Sequence, residues 1–459
     1  MTSICDGERS DLGNSANQSC NRTRMTQIEW IYADYNNTHL PPRIAVYLNK
    51  RGAGFPWTIN IDHSHRFSGA VVIPSLAEAV NLPETLESLS RNPADLLERF
   101  LILIVVNQRG DASDAETADN LETLRMLPLW KEQYRLRNLF WVDAATTGRD
   151  LPPKQGVGLA RKIGLDLALP LLDYRNDNPL LICLDADTLV QPDYLPAITA
   201  HFTGSSAGGA SIPYSHRLAS DLPGQSAIDR YELFLRIYVQ GLEYAGSPYA
   251  FHTVGSAMAC TASAYAASGG MNRRLAGEDF YFLQQLHKTS GVERLTGTVV
   301  HPSPRSSHRV PFGTGRAVGD MLAEGEERLL FYQPTVFLIV GEWLTFVAEN
   351  PAADVSNLLK GAAAISPLLH EFLEQAGFRE SWENMKKNNR EEAKLKEAFH
   401  SWFDAFRTMR LIHELSDRIY PRIPPEAAVL PLLKRAGLSS PESISGQLEL
   451  LRRMQGGNG

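Results

Sequence analysis

With 459 residues, 43% apolar and 21% charged, the chain has an ordinary globular composition and the length for two or three domains, or one large domain with additions. Lys plus Arg number 45 against 52 Asp plus Glu, a formal charge of −7, so the basic excess expected of a nucleic-acid binder is missing. The four cysteines, at positions 5, 20, 183 and 260, have no metal-type spacing; Cys183 and Cys260 lie in apolar runs and read as buried hydrophobes.

Residues 1–24 are polar and read as a flexible tail. Residues 25–67 mix short apolar groups, such as Ile44 to Leu48, with Pro and Gly, and are expected to form an irregular β-rich lead-in. A strand-and-helix alternation then begins. Ala70 to Ile73 reads as a short buried strand broken by Pro74, and Asn81 as the N-cap of a helix with Leu82, Leu86 and Leu89 on its packing face. Phe100–Val106 is a second buried strand, ending in Asn107-Gln-Arg-Gly-Asp111. A helical stretch through Leu121 leads to a third strand at Leu139–Val142. Next comes a helix with Leu159, Ile163 and Leu167 at helical spacing, and then the apolar run Leu180–Leu184. Strands alternating with helices mean crossover connections and a mostly parallel sheet.

Beyond residue 187 the composition shifts to Gly, small residues and aromatics, with one long helix expected from Ala227 to about Tyr244. From about 319 the pattern is helical. Leu395, Phe399, Trp402, Phe406, Met409, Ile412, Leu415 and Ile419 recur every three or four residues as an amphipathic stripe. The apolar stretch Thr335–Ala348 falls short of the roughly 20 residues that span a bilayer and contains Glu342, so it reads as a core helix. With no apolar N-terminal leader either, a cytoplasmic protein is expected.

Two acidic features carry chemistry. Asp185 and Asp187 close the run that starts at Leu180, where a parallel sheet presents ligands at its carboxyl edge. Such a pair can hold a divalent cation through carboxylate oxygens; a turn or cap is the competing reading for an isolated Asp-x-Asp. Glu278 and Asp279, behind Gly277, open a helix and read either as acids offsetting its dipole or as a general base aimed at a cleft. Two nucleotide signatures fail. Gly156-Val-Gly158 continues to Arg161 where a dinucleotide fingerprint needs Gly or Ala, and no phosphate-loop motif occurs.

In this order, Val72-Ile-Pro-Ser-Leu-Ala-Glu78, Gly158-Leu-Ala-Arg161, Leu184-Asp-Ala-Asp187, Ser268-Gly-Gly-Met271 and Gly277-Glu-Asp279 give residues 68 to about 310 a pattern that resembles the family-2-type glycosyltransferases of the GT-A fold. The resemblance implies an α/β GT-A-like domain over 68–318, its mostly parallel sheet flanked by helices, followed by a C-terminal α-helical region over 319–459. It implies a nucleotide-sugar donor, an acceptor hydroxyl, and Mn²⁺ or Mg²⁺ as cofactor. Donor contacts are expected from Pro74, Ser75, Leu76, Glu78, Asn107, Arg161 and Asp185, and diphosphate contacts from Arg305 and Arg309. Asp187 is the expected metal ligand, with His301 or His308 beside it. Asp279, with Glu278 next to it, is the expected catalytic acid pair, Asp279 taking the acceptor's proton as the anomeric centre inverts. Many relatives carry an acid at the end of the second strand, where this chain has Asn107-Gln108, so the donor base stays open. A retaining enzyme on the same fold, and a non-catalytic sugar-nucleotide sensor whose C-terminal helices dock a partner, are the alternatives. Nucleic acid is not an expected partner, and peripheral membrane contact is not announced.

Overall fold

The computed structural model describes residues 40–62, 64–175, 178–306, 313–439 and 441–456. The expected tail at 1–24 lies outside these residues. Of the expected β-rich lead-in over 25–67, residues 25–39 also lie outside the described residues, and the described part contains helix Pro42–Arg51 (α1) where a strand is expected. Its buried residues Ile44, Tyr47 and Leu48 follow a three-and-four spacing, and Pro42 suits a first helical turn, where its missing N–H costs nothing.

Among the described residues the main sheet has seven strands, in the order Leu139–Ala144 (β3), Phe100–Asn107 (β2), Gly69–Ser75 (β1), Leu180–Cys183 (β4), Met258–Thr261 (β7), Gly209–Ser211 (β6), Val292–Arg294 (β8). β1, β2, β3 and β4 run parallel. Between β4 and the remainder, β7 is antiparallel to both β4 and β6, while β8 is parallel to β6. Leu189–Val190 (β5) and Val300–His301 (β9) form a separate antiparallel pair just past the end of β4.

β1 and β2 are buried along their whole length because both faces are covered. Ala70, Val72, Leu101, Leu103 and Val105 pack on one side, and Val71, Ile73, Ile102, Ile104 and Val106 on the other. Pro74 does not break β1. Ser68 and Val72 send their carbonyls to β4, so Pro74 also faces that way, but the β1–β4 pairing ends at Val72. No ladder bond is lost at Pro74.

Helix Leu82–Ser90 (α2) buries Leu82, Leu86 and Leu89 as expected; Asn81, however, does not cap it. The Asn81 amide instead donates to Glu78 Oε2 at 2.7 Å. Asp114–Gln133 (α3) starts from a capping box between Ser113 and Glu116. Val157–Ala168 (α4) is buried on nearly every side, including Arg161, Lys162 and Asp166. Leu222–Tyr244 (α5) is the expected long aromatic helix.

C-terminal helices build their own core on α5. Leu233, Ile237 and Leu242 of α5 pack with Val336, Phe337, Val340 and Trp343 of Pro334–Glu349, and with Phe372, Phe378, Trp382 and Phe399 beyond. Helix Thr314–Glu324 straddles the expected boundary at 318/319 and sets Val318 and Met321 against Ala227 and Ile228. The long stripe from Leu395 is two helices, Glu392–Trp402 and Ala405–Arg418, separated where Asp404 caps the second by accepting from the Arg407 N–H. Ile419, its expected last member, is exposed. Ile444–Gly456 closes the described chain against α5. Among the described residues no helix is long and apolar enough to cross a membrane.

Candidate active site

The two acidic features meet at the carboxyl edge of the sheet, joined by a buried arginine. Asp185 and Asp187 occupy the turn directly after β4, which is fixed from both sides. Leu184 N–H donates to Val72 O at 3.1 Å, and the buried Thr85 hydroxyl of α2 donates to Ala186 O at 2.9 Å. Glu278 and Asp279 begin helix Glu278–Ser290 (α6), which the chain enters through Gly277 at φ +69°, a backbone geometry that a side chain disfavours.

Arg161 of α4 lies between them, only 3% exposed. Its Nη2 donates to Asp185 Oδ1 at 2.7 Å and its Nε to Glu278 Oε1 at 3.1 Å. Its third nitrogen, Nη1, is buried with no hydrogen-bond partner. Despite burial, which works the other way, the charges of Asp185 and Glu278 hold the guanidinium firmly protonated. Gly158 makes this placement possible. A β-carbon there would lie 2.6 Å from Arg274 O and 2.8 Å from Asn272 O, so α4 sits against the loop leading into α6 only with glycine at that position. Asn272 in turn donates its amide to Glu278 O at 2.8 Å.

With Glu278 engaged by Arg161, the neighbouring Asp279 accepts one bond, from its next residue's N–H (Phe280, 2.8 Å). Burial first, and then the Glu278 charge, push the Asp279 carboxyl up to about 7, against the pull of the Phe280 N–H and Arg161. A helix start by itself lowers an acid; here burial and the adjacent acid outweigh it.

A second cation lies on the other acid of the turn. Arg305 Nε and Nη2 approach Asp187 Oδ2 at 2.9 and 2.8 Å, and Nη2 also donates to Glu78. Burial, followed by the Glu78 charge, pushes Asp187 up to about 6 even with Arg305 in place. The expected donor loop after β1 thus reaches the Asp-x-Asp turn through Glu78.

That loop is held by groups the sequence did not single out. Ala77 adopts φ +52° and donates its N–H to Asn120 Oδ1 at 2.8 Å, while Ala79 N–H donates to Asp119 Oδ1 at 2.9 Å. Asn107 donates its amide to Ser75 O at 3.1 Å and Val105 O at 3.0 Å, tying the ends of β1 and β2. Its carbonyl faces Asn120 Nδ2 at 3.4 Å. Asn120 is fully buried, yet in sequence it is one polar residue among many on α3. Pro74 and Ser75 are buried at the strand end, the Ser75 hydroxyl unpartnered, and Leu76 is half-buried.

His301 pairs with Leu189 through β9 and β5. Its Nδ1 is 3.0 Å from Ser215 O, which can only accept, so Nδ1 carries the proton; Nε2 faces the Gln191 amide at 3.5 Å. His308 and Arg309 lie outside the described residues. Among the described residues no three His, Cys, Asp or Glu side chains gather as a metal-binding group. The donor chemistry nevertheless suits a hard cation. Two carboxylates, Asp187 and Glu78, already converge on one positive charge, and Mg²⁺ characteristically takes one or two carboxylates together with phosphate oxygens and water.

Residues 180–321 match the family model described as glycosyl transferase family group 2. No curated protein sequence matches the chain. Among solved structures, S. aureus TarS 1-349 is similar at 13% identity, covering 86% of this chain and 92% of that one, with a TM-score of 0.36. The mannosyltransferase PcManGT from Pyrobaculum calidifontis, in complex with GDP-Man and Mn²⁺, is similar at 16% identity over 82% and 99%, TM-score 0.35. Glucosyl-3-phosphoglycerate synthase from Mycobacterium tuberculosis, in complex with UDP, is similar at 14% over 65% and 82%, TM-score 0.33. The matched stretch, residues 180–321, carries both acidic motifs of the sheet edge, and in it this chain is similar to the glycosyl transferases of family group 2.

Proposed function

We propose that this protein transfers a sugar from a nucleoside-diphosphate donor to an acceptor hydroxyl with inversion, Asp279 acting as the general base. The observation that carries the reading is Arg161. One buried guanidinium joins Asp185, after the central strand, to Glu278, at the start of α6. It thereby fixes the helix start that carries Asp279 beside the Asp-x-Asp turn.

In this reading the strand-end loop from Pro74 to Glu78, held by Asn107, Asp119 and Asn120, receives the nucleoside. Asp185 contacts the donor's ribose or sugar. Arg305 forks onto the diphosphate, exchanging carboxylate oxygens for phosphate oxygens of the same geometry. Asp187 would hold a divalent cation, Mn²⁺ or Mg²⁺, which would supply charge to offset that of the diphosphate. Asp279 is poised near neutrality, which suits a base that collects a proton as the acceptor oxygen attacks. Glu278 belongs with Arg161 as a positioning pair.

The test is donor turnover. The purified chain is incubated with a panel of nucleotide sugars, with and without Mn²⁺, and nucleoside diphosphate release is followed. Asp187→Ala should abolish transfer and Asp279→Asn lower it by about 10²–10⁴-fold, each leaving the fold intact, and NMR of the new linkage should show the inverted anomer. Full turnover by either variant overturns the assignment, and a retained anomer overturns the role given to Asp279.

A further inference from the structure

Two successive charged residues of α4 are buried against different partners. Arg161 ties Asp185 to Glu278, whereas Lys162, also 3% exposed, serves α1. Its Nζ lies 2.8 Å from Asp166 Oδ2 and donates to the Tyr47 hydroxyl at 2.6 Å. Asp166 is fully buried and also accepts from the Tyr47 hydroxyl at 2.8 Å, the Tyr265 hydroxyl at 2.8 Å and the Ala53 N–H at 2.7 Å. Apolar residues of the same volume would stabilise this interior as well as a Lys–Asp pair does, or better. What the polar cluster adds is direction. With Asp166 saturated, the Tyr47 hydroxyl has one place to stand.

That place is on the Gly269-Gly270 turn. A β-carbon on Gly270 would overlap the Tyr47 hydroxyl and lie 2.5 Å from its Cζ, and one on Gly269 would overlap Arg51 Nη1 of the same helix. Both glycines adopt positive φ, +86° and +76°. Backbone geometry and the close approach of α1 thus demand glycine here independently. The turn ends helix Ala262–Ser268, with the Gly270 N–H donating to Tyr265 O at 2.9 Å, and Tyr265 carries the other hydroxyl on Asp166.

Residues 271–277 alone separate this turn from α6, and they are held along their length. Met271 is buried. Gly158 of α4 lies against the carbonyls of Asn272 and Arg274, and the Asn272 amide donates to Glu278 O at 2.8 Å. The Arg274 guanidinium covers the Tyr281 ring at 3.7 Å. The segment is therefore pinned by α1 at its start, by α4 in its middle and by α6 at its end. α4 supplies the counterpart at both extremes, Lys162 for α1 and Arg161 for Glu278.

We infer that Tyr47 is a positioning residue for the proposed reaction: through the Gly269-Gly270 turn, α1 sets where the first turn of α6, and with it Asp279, stands relative to the Asp-x-Asp turn. This rests on the function proposed above. α1 is then a working part of the catalytic unit rather than a lead-in to it. A misplacement of about 1 Å from a change remote from the chemistry costs on the order of 10²-fold in rate. The strand-end loop from Pro74 to Glu78 has its own supports, so nucleotide binding is spared.

The experiment compares the full chain with Tyr47→Phe and Tyr47→Ala. The first keeps the ring and removes the hydroxyl that Lys162 and Asp166 hold; the second uncovers the turn. Hydrogen exchange read by mass spectrometry should accelerate at least tenfold over 269–282 in the Ala variant, and less in the Phe variant, with β1 and β2 unchanged. With a donor that the parent turns over, kcat should fall about tenfold in Tyr47→Phe and about 10²-fold in Tyr47→Ala, while UDP or GDP affinity with Mn²⁺ stays within about twofold of the parent. A merely structural role would loosen the sheet and weaken nucleotide binding together with kcat. Unchanged exchange over 269–282 in both variants, equal acceleration in the sheet, or a kcat that is unchanged or falls only in step with nucleotide affinity overturns the inference. Should Tyr47→Ala fail to fold, Tyr47→Phe, which lacks a single oxygen, carries the test. Absence of turnover by the parent with every donor counts instead against the function proposed above, and exchange over 269–282 then decides whether Tyr47 holds the start of α6.

Discussion

Arg305 approaches Asp187 with two nitrogens, at 2.9 and 2.8 Å, so the acid expected to hold a metal already has a cation against it. The same guanidinium holds Glu78. Removing it leaves two carboxylates side by side. Arg305→Ala should therefore bind Mn²⁺ more tightly than the parent when no nucleotide is present, read as loss of the free Mn²⁺ signal in electron paramagnetic resonance. With the diphosphate present the sign reverses. Nucleoside diphosphate affinity, measured by calorimetry, should fall at least tenfold, because the bidentate phosphate contact proposed for Arg305 is gone.

Asp279→Asn should lower transfer by about 10²–10⁴-fold, the usual range for a lost general base. In the parent, kcat/KM should rise with pH up to about 7 and then level, since only the ionised carboxylate accepts a proton. Stability runs the opposite way. The folded protein holds this proton more tightly than the unfolded chain, so ionising Asp279 progressively penalises the fold as pH rises from the ordinary aspartate range to about 7. The Asn variant should accordingly melt higher than the parent at pH 8 and equal it near pH 4.

Arg161→Met should destabilise by about 3–5 kcal/mol, because Glu278 is left buried without its counter-charge. Urea denaturation measures this directly. Arg161→Met combined with Glu278→Gln should recover a large part of the loss, and simple additivity of the two single changes would refute the pairing.

A buried polar network fastens the last helix to α5. Glu232 is fully buried and accepts from Arg236 Nε at 2.8 Å, from Arg452 Nε and Nη2 at 2.8 Å each, and from the His216 N–H at 3.0 Å. Burial opposes its ionisation, but the Arg452 and His216 bonds and the Arg236 charge hold it well below the usual glutamate range. Its stabilisation is complete above the unfolded-state pKa and is lost as pH falls through the depressed folded value. Glu232→Gln should lower stability at neutral pH and flatten the acid limb of a stability–pH curve. Arg452→Gln, removing two charge-assisted bonds, should cost on the order of 2 kcal/mol.

The sheet was legible because its central strands are buried on both faces and read as continuous apolar runs; Phe100–Val106 needed no tertiary information. The Asp-x-Asp turn and the Gly-Glu-Asp helix start were legible as acids at element ends. Arg161 was harder. Next to Lys162 on a helix it looks like a solvated surface charge, and only the enclosure of α4 by the sheet and the 272–274 loop turns it into a buried tie. Asn120 and Asp119 gave no signal at all, since their partners are backbone N–H groups some forty residues away. The lead-in was misread because Ile44 to Leu48 is a continuous apolar group, whereas only Ile44, Tyr47 and Leu48 are buried, on one side of a helix.

Tyr249 reaches across to the backbone of His400, and Gln284 of α6 holds the first turn of the helix that Asp404 caps. The C-terminal helices are thus bolted to α6 and to the segment around Tyr249 rather than to the sheet edge that carries Asp185 and Asp187. The strand ends that carry the two aspartates and the seat of the C-terminal helices are consequently separable in this architecture. Drift or exchange in the C-terminal helices would remodel what rests on α6, while the strand ends stayed as they are.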